Sequence, residues 1–409
     1  MASIRTLEDL ISRPDIQGLH VLVRADLNVP LTADGTIRDA TRIERLLPTF
    51  QSLCQAGAKV AVLSHFGRPK GAPNAAMSLE PIANALANLI DQPISFSADC
   101  IGPTAAAAMD SLTPGSLLVM ENTRFHPGEE ENDAGFAAAL AASGDAYVND
   151  AFSTAHRAHA STEALAGLLP AYAGLAMQAE LDAIAGALEQ PERPLMAVVG
   201  GAKVSTKLAL LSNLVEKVDK LVIGGGMANT FLAAQGHAVG RSLCEDTMLE
   251  TARQILGKAA GEQCEIILPS DVVMAADFGP CDDPTEANVD EVPDDMMILD
   301  AGPQAVAGIK NHMNACRTLV WNGPLGAFEL NPFDAGTNDA ARHAAGLTQS
   351  GKLTSVAGGG DTVAALNHAG AAAGFTYVST AGGAFLEWLE GRTLPGVKAL
   401  ENSAKAANL

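Results

Sequence analysis

Aromatic side chains are scarce in this chain: 2 Trp, 3 Tyr and 12 Phe make up 4% of 409 residues. Hydrophobic residues still reach 48%, so alanine, leucine and valine must fill the cores. Basic residues are also short, with 26 Lys and Arg against 47 Asp and Glu and a net charge of −21. That excludes a general nucleic-acid or anionic-membrane surface, which needs a basic face. It does not exclude a small anion held by a local cluster. Cys54, Cys100, Cys244, Cys264, Cys281 and Cys316 are scattered without a CxxC pair. Their spacing matches no zinc or iron–sulfur pattern, and they read as reduced packing thiols. No apolar run is long enough for a membrane span. The opening MASIRTLEDLISRPD offers no signal-peptide stretch. We expect a cytoplasmic protein with no nucleic-acid and no membrane partner.

Three signatures of common enzyme classes are missing too. There is no GxxxxGK[ST], which disfavours a P-loop kinase or ATPase. There is no clean GxGxxG after the first strand, which removes the main support for a nicotinamide dehydrogenase. There is no GxSxG, so no Ser–His–Asp hydrolase is read.

What is present is a series of arginines in the first 160 residues. Arg24 and Asp26 lie in VLVRADLNVP, Arg42 in TRIERLLP, Arg68 in SHFGRP, Arg124 in ENTRF and Arg157 in AFSTAHRAHAS. Each follows a short apolar run or opens a periodic one, where a parallel α/β sheet presents its loops. Converging guanidiniums bind phosphate or carboxylate bidentately. His65 either donates to such an anion or is a buried histidine bonded to backbone. Asp26 and Asn28 either form a capping turn or bind a substrate hydroxyl.

The second half carries glycine loops instead. VVGGAKVSTK sets Lys203 and Lys207 at a strand-to-helix junction, where backbone N–H groups face a phosphate. VIGGGMANT repeats the pattern without lysine. VAGGGDT adds Asp361, a natural magnesium ligand, and STAGGAF places Gly382 and Gly383 before a helix. Arginines in one half and glycines in the other predict two anionic substrates held by two domains.

Short apolar strands alternate with helical patterns throughout, a βαβ rhythm that predicts parallel sheets covered on both faces. HVLVRAD, KVAVLSH, SLLVMEN, AYVND, PLMAVVGG, KLVIGGG, MMILDAG, TLVWNG, LTSVAGGG and FTYVST read as strands. Ile43, Leu46, Leu47, Phe50 and Leu53 follow helical spacing. The fold class is α/β, two doubly wound Rossmann-like lobes with mainly parallel sheets joined by a hinge helix. The lobes are assigned to residues 1–172 and 192–390. The linker over 173–191 has Met177, Leu181, Ile184 and Leu188 on one side; an ordinary peripheral helix is the alternative. The tail 391–409 either frays or packs back on the first lobe.

Together RADLNVP, SHFGRP, ENTRF, AFSTAHRAH, GGAKVSTK, GGGMANTF, WNGPLGAFE, GGGDT and STAGGAFLEWLEG closely resemble the phosphoglycerate kinase family, in the family's order, from about residue 19 to 396. The resemblance implies reversible transfer between 1,3-bisphosphoglycerate with ADP and 3-phosphoglycerate with ATP, with Mg²⁺, in glycolysis and gluconeogenesis. It implies a monomer whose lobes close. Asp26 and Asn28 then match contacts to the glycerate. Arg42, His65, Arg68, Arg124 and Arg157 match the patch that holds phosphoglycerate, with Arg42 nearest the transferring group. Lys203 matches the lysine that follows the phosphoryl group, and Lys207 a nucleotide-phosphate contact. Gly226 and Gly302 match adenine-pocket positions. Asn322, Pro324 and Glu329 match nucleotide contacts, with Glu329 at the ribose. Gly358, Gly359, Gly360 and Thr362 belong to the phosphate loop, with Asp361 as magnesium ligand. Two departures stand out: Ala381 where the family usually has glycine, and Phe66 where leucine is commoner. A nicotinamide dehydrogenase and a non-catalytic two-lobed binding protein remain the competing readings.

Overall fold

The computed structural model describes residues 4–32 and 36–406. The chain divides into two compact units, residues 1–181 with 393–409, and residues 182–392. The division falls inside a helical stretch, the α-helix Leu175–Ile184 followed by a π-turn over Ala185–Glu189. The helix starts later than the sequence pattern predicts, because Ala171–Ala173 is a strand.

The first unit is built on six strands: β1 (His20–Arg24), β2 (Lys59–Leu63), β3 (Ile94–Ser97), β4 (Leu117–Met120), β5 (Ala146–Asn149) and β6 (Ala171–Ala173). They form one parallel sheet in the order β3-β4-β2-β1-β5-β6. The central strands are apolar without alternation because helices cover both faces, and every residue of β4 and β5 is buried. Helix Thr41–Gln55 turns Ile43, Leu46, Phe50 and Leu53 into the core, while Leu47 stays half-buried at the edge of the stripe. The helix Pro395–Ala406 belongs to this unit. Its Ser403 Oγ accepts from Arg5 Nη2 at 2.8 Å and from the Ala171 amide at 3.2 Å.

The second unit holds two sheets. β7 (Leu195–Gly200), β8 (Lys220–Gly224), β9 (Glu265–Ile267), β13 (Thr318–Asn322), β14 (Thr354–Ala357) and β15 (Tyr377–Val378) form a parallel sheet in the order β15-β14-β13-β7-β8-β9. β10 (Asp271–Ala275), β11 (Thr285–Asn288) and β12 (Met297–Ala301) form a small antiparallel sheet, β11-β10-β12. The strand MMILDAG therefore belongs outside the main sheet. With few aromatics, alanine does the packing: Ala340, Ala341, Ala344 and Ala345 of helix Ala335–Gln349 sit in one cluster with Leu319 and Trp321.

Register sets the loops level. Arg24 at the end of β1 pairs with Leu63 of β2 and Asn149 of β5. The residues that follow, Asp26, His65 and the 150s, thus leave the sheet side by side. In the second unit Gly200 of β7 pairs with Gly224 of β8, and Trp321 of β13 with Ala357 of β14. The glycine loops emerge together in the same way, at carboxyl ends where such sheets bind ligands.

Candidate functional site

In the first unit the site grows from turns. Asp26 Oδ1 accepts from the Asn28 amide at 3.2 Å, the turn the sequence allows. Its other oxygen takes the Ser153 hydroxyl at 2.5 Å and lies 3.3 Å from Arg42 Nη1. Arg42 also donates to the Asn28 carbonyl at 2.9 Å. The Asn28 side chain accepts from the Gly67 amide at 3.0 Å, and Gly67 O accepts from Arg124 Nη1 at 2.9 Å. Asp26, Asn28, Arg42 and Arg124 thus share one bonded network that fixes where the guanidiniums stand. Arg124 is buried, which works against its charge; Glu130 Oε1, 3.1 Å from Nε, offsets part of that cost. Arg157 is half-buried, with Nε on His156 at 3.2 Å, and Arg68 is exposed at the rim.

His65 is buried, and its Nδ1 lies 3.0 Å from Arg24 Nη2. Burial, then the charges of Arg24, Arg124 and Arg157, hold its pKa well below the ordinary value. The ring is neutral, so it adds hydrogen bonding and no positive charge to the basic patch. Arg24 is structural: it is buried and donates to Ser161 Oγ at 2.9 Å, which in turn donates to buried Glu129 at 2.6 Å. Arg24 stands out in the sequence as one of the arginine series, but Ser161 and Glu129 do not, because neither lies near Arg24 in the chain.

In the second unit a cleft of about 320 Å³ lies over the glycine loops. Gly226, Pro324, Glu329 and Asp361 line it. Its floor needs bare backbone: a Cβ on Gly323 (φ 107°) would sit 2.1 Å from Gly200 O. Lys207 donates to Asn322 Oδ1, and Asn322 Nδ2 donates to Gly358 O at 2.7 Å. Burial lowers the Lys207 pKa, opposed by Asp361 and Glu390. Thr362 Oγ1 accepts from the Gly323 amide at 2.7 Å, joining two loops. Gly360 opens the helix to His368, and Gly382 opens another to Leu389; a Cβ on Gly382 would stand 3.6 Å from the Gly360 amide. Gly358, Gly359, Gly360, Gly382 and Gly383 therefore form one patch with two adjoining helix N-termini, which attracts anions. Ala381 has φ −99°, so the turn needs no glycine there. Lys203 is exposed and caps the short turn Val204–Thr206. Asp361 is exposed in the first turn of its helix, and no described residue hydrogen-bonds or ion-pairs with its carboxylate.

The family model described as phosphoglycerate kinase matches residues 10–392. The chain belongs to the phosphoglycerate kinase family. Phosphoglycerate kinase of Methylobacterium radiotolerans is 60% identical over 400 residues, 98% of this chain and 99% of that one. That of Sinorhizobium fredii is 60% identical over 398 residues, 97% and 99% of the two chains. The structure of phosphoglycerate kinase from Coxiella burnetii superposes with a TM-score of 0.88 at 42% identity, covering 96% of this chain and 98% of that chain.

In this phosphoglycerate kinase family member Gly302 directly follows Asp300 and Ala301, which line the cleft. It stands at the N-cap of helix Pro303–Ala315 and packs on Asp271, where a Cβ would come within 2.3 Å of Asp271 Cγ. The apolar wall is made by Ile298, Leu299, Leu325 and Phe328, with Leu243 and Phe278 at more exposed positions. In the sequence these are ordinary apolar residues; the antiparallel sheet that turns 297–301 towards the cleft is what gives them the role.

Proposed function

We propose that this chain transfers a phosphoryl group reversibly between 1,3-bisphosphoglycerate with ADP and 3-phosphoglycerate with ATP, the reaction for which its family is named. The single observation that carries the reading is the pairing of two anion-suited sites, each at the carboxyl ends of its own parallel sheet. One is made of guanidiniums, the other of glycine backbone beside an apolar cleft. The first suits a compact, highly charged phosphoglycerate, held by Arg42, His65, Arg68, Arg124 and Arg157, with Asp26 and Asn28 on its hydroxyl and carboxylate. The second suits a nucleotide, with the base against the apolar wall, Glu329 at the ribose, and Lys207, Asn322 and the 358–362 loop at the phosphates.

The chemistry asks for alignment and neutralised charge, not for a base or a covalent intermediate. The nucleophile for ATP synthesis is already a phosphate oxygen, and the donor is an acyl phosphate. Arg42 and Lys203 neutralise the transferring group, and the helix starts at Gly360 and Gly382 add backbone N–H groups. The free carboxylate of Asp361, facing the cleft, fits a hard cation that takes oxygen ligands. Asp361 would hold Mg²⁺ there with the nucleotide, and the ion would supply positive charge against the phosphate oxygens. Transfer also requires the two substrates to be brought together, so the units close during turnover, which keeps water from the acyl phosphate. We place the enzyme in the cytoplasm as a monomer.

A coupled assay supplied with 3-phosphoglycerate, ATP and Mg²⁺ tests this reading. Turnover is expected only with all three present. Turnover with an unrelated acceptor and none with 3-phosphoglycerate would overturn it.

A further inference from the structure

Outside the site just described, one cluster brings three different metal-ligating side chains together. Asp99 and Cys100 follow the carboxyl end of β3, and His126 follows the turn Thr123–Phe125 after β4. The strands are neighbours in register, Ser97 beside Met120, so the two loops run side by side. His126 Nε2 lies 2.9 Å from Asp99 Oδ1, and one ligand atom from each of the three residues lies within 4.8 Å of the others. We infer that Asp99, Cys100 and His126 form a site for a zinc-type divalent cation, with an open position filled by water.

The donor set carries the inference. One thiol, one imidazole and one carboxylate are ligands that zinc accepts in tetrahedral sites, whereas a hard cation such as Mg²⁺ prefers all-oxygen surroundings. The Cys100 sulfur is buried and makes no hydrogen bond to another described side chain. The Asp99 side chain keeps one oxygen uncommitted; Oδ1 accepts from the Cys100 amide at 2.7 Å, the Ile101 amide at 3.3 Å and His126. The Asp99 and His126 side chains are 39% and 29% exposed, so an ion reaches the cluster from solvent. His126 stacks on Phe136 with ring centroids 5.1 Å apart, which holds its plane. An ion pair on a tight turn accounts for Asp99 and His126; the thiol beside them adds a soft donor that the ion pair does not use.

Ligation replaces the thiol proton, which leaves to water as the metal–sulfur bond forms, and it uses the neutral imidazole. The site needs no cysteine pair, which is why no spacing pattern in the sequence marks it. Bound metal would tie the ends of β3 and β4 together, two residues after Arg124.

The test uses the full chain without a histidine tag, stripped with a chelator and returned to chelator-free buffer. Co²⁺ alone is the probe, because a thiolate ligand gives a sulfur-to-cobalt charge-transfer band. The band is expected to saturate at one ion per chain, to be displaced by Zn²⁺ and to persist in excess Mg²⁺. Cys100→Ser should abolish it and Cys244→Ser should leave it intact. His126→Asn should weaken the affinity at least about tenfold, the scale on which metal sites lose affinity when their ligand framework is disturbed. Absence of the band in the wild-type chain, or its survival in Cys100→Ser, overturns the site. Should Cys100→Ser fail to fold, His126→Asn decides, since that side chain is part-exposed; unchanged affinity there overturns the site as well.

Discussion

At the carboxyl ends of the first sheet, the candidate site is built of long side chains. Arg42 is held by Asp26, Arg124 by Gly67 and Glu130, and neutral His65 sits against Arg24. At the carboxyl ends of the second sheet it is built of backbone: Gly200, Gly323 and the 358–360 loop, with helix starts behind them. The two sites should therefore fail in different ways. A guanidinium site is weakened by removing a charge. A glycine site is weakened by adding a methyl group, because there the loops pack backbone on backbone.

Lys203 stands apart from both, as an exposed cation at the edge of the glycine site. The largest effect is expected from Lys203→Ala. Losing one donor to developing charge typically costs about 10²–10³ in turnover, and steady-state kinetics at saturating substrates should show that loss with nucleotide affinity little changed. Near-normal turnover would remove Lys203 from the chemistry. Next come Arg68→Ala and Arg157→Ala. Each should weaken 3-phosphoglycerate binding by roughly 1.5–3 kcal/mol, the worth of a charge-assisted hydrogen bond, and leave ADP binding intact in calorimetry. Equal losses for both ligands would erase the distinction between the two sites.

Gly323→Ala tests the other half of the comparison. The alanine would carry φ 107° and press on Gly200 O. Strain of this kind costs about 1–3 kcal/mol. ADP affinity should fall while 3-phosphoglycerate affinity holds. A variant that binds ADP normally would show that the backbone there can shift and that the glycine floor is not required.

The sequence made some of this legible because the signals are local. The apolar runs of β1, β2, β4, β5, β7, β8, β13 and β14 are strands because they are buried on both faces; Asp26 and Lys203 follow strand ends, and Arg42 opens the helix after β1, as the βαβ rhythm requires. The edge strands β3 and β9 are short and partly exposed, so nothing in their composition announces them. The antiparallel trio β10, β11 and β12 breaks the rhythm, and with it goes the placing of the Leu299 wall. The neutrality of His65 was out of reach for another reason. It depends first on burial and then on Arg24, Arg124 and Arg157 converging on one ring, and neither burial by the fold nor charges that far apart in sequence leave a local mark.

The smallest expected effect is on the response to acid, and the two units should differ in its sign. His159 is pulled down to about 4, first by burial and then by Arg124, Arg24, Arg157 and His156, although Glu129 lies 4.0 Å from the ring. The unfolded chain protonates this ring near the ordinary value of about 6.5, while the folded chain resists until about 4. Between these limits the unfolded state binds more protons, so the stability His159 contributes is full above about pH 6.5 and is lost as pH falls. Asp300, in the other unit, is pushed up to about 7 by burial, against bonds from the Gly336 and Ala301 amides. Its folded form holds a proton that the unfolded form has released, so its contribution is full below about pH 4 and is lost as pH rises towards 7. Urea unfolding at about pH 7.5 and about pH 5 should show His159→Gln losing less stability on acidification than the parent chain, by about 1 kcal/mol. Asp300→Asn should lose more than the parent. Equal losses in all three proteins would mean that neither group titrates differently in the folded chain, and the contrast between a basic and a carboxylate-backed site would not extend to acid stability.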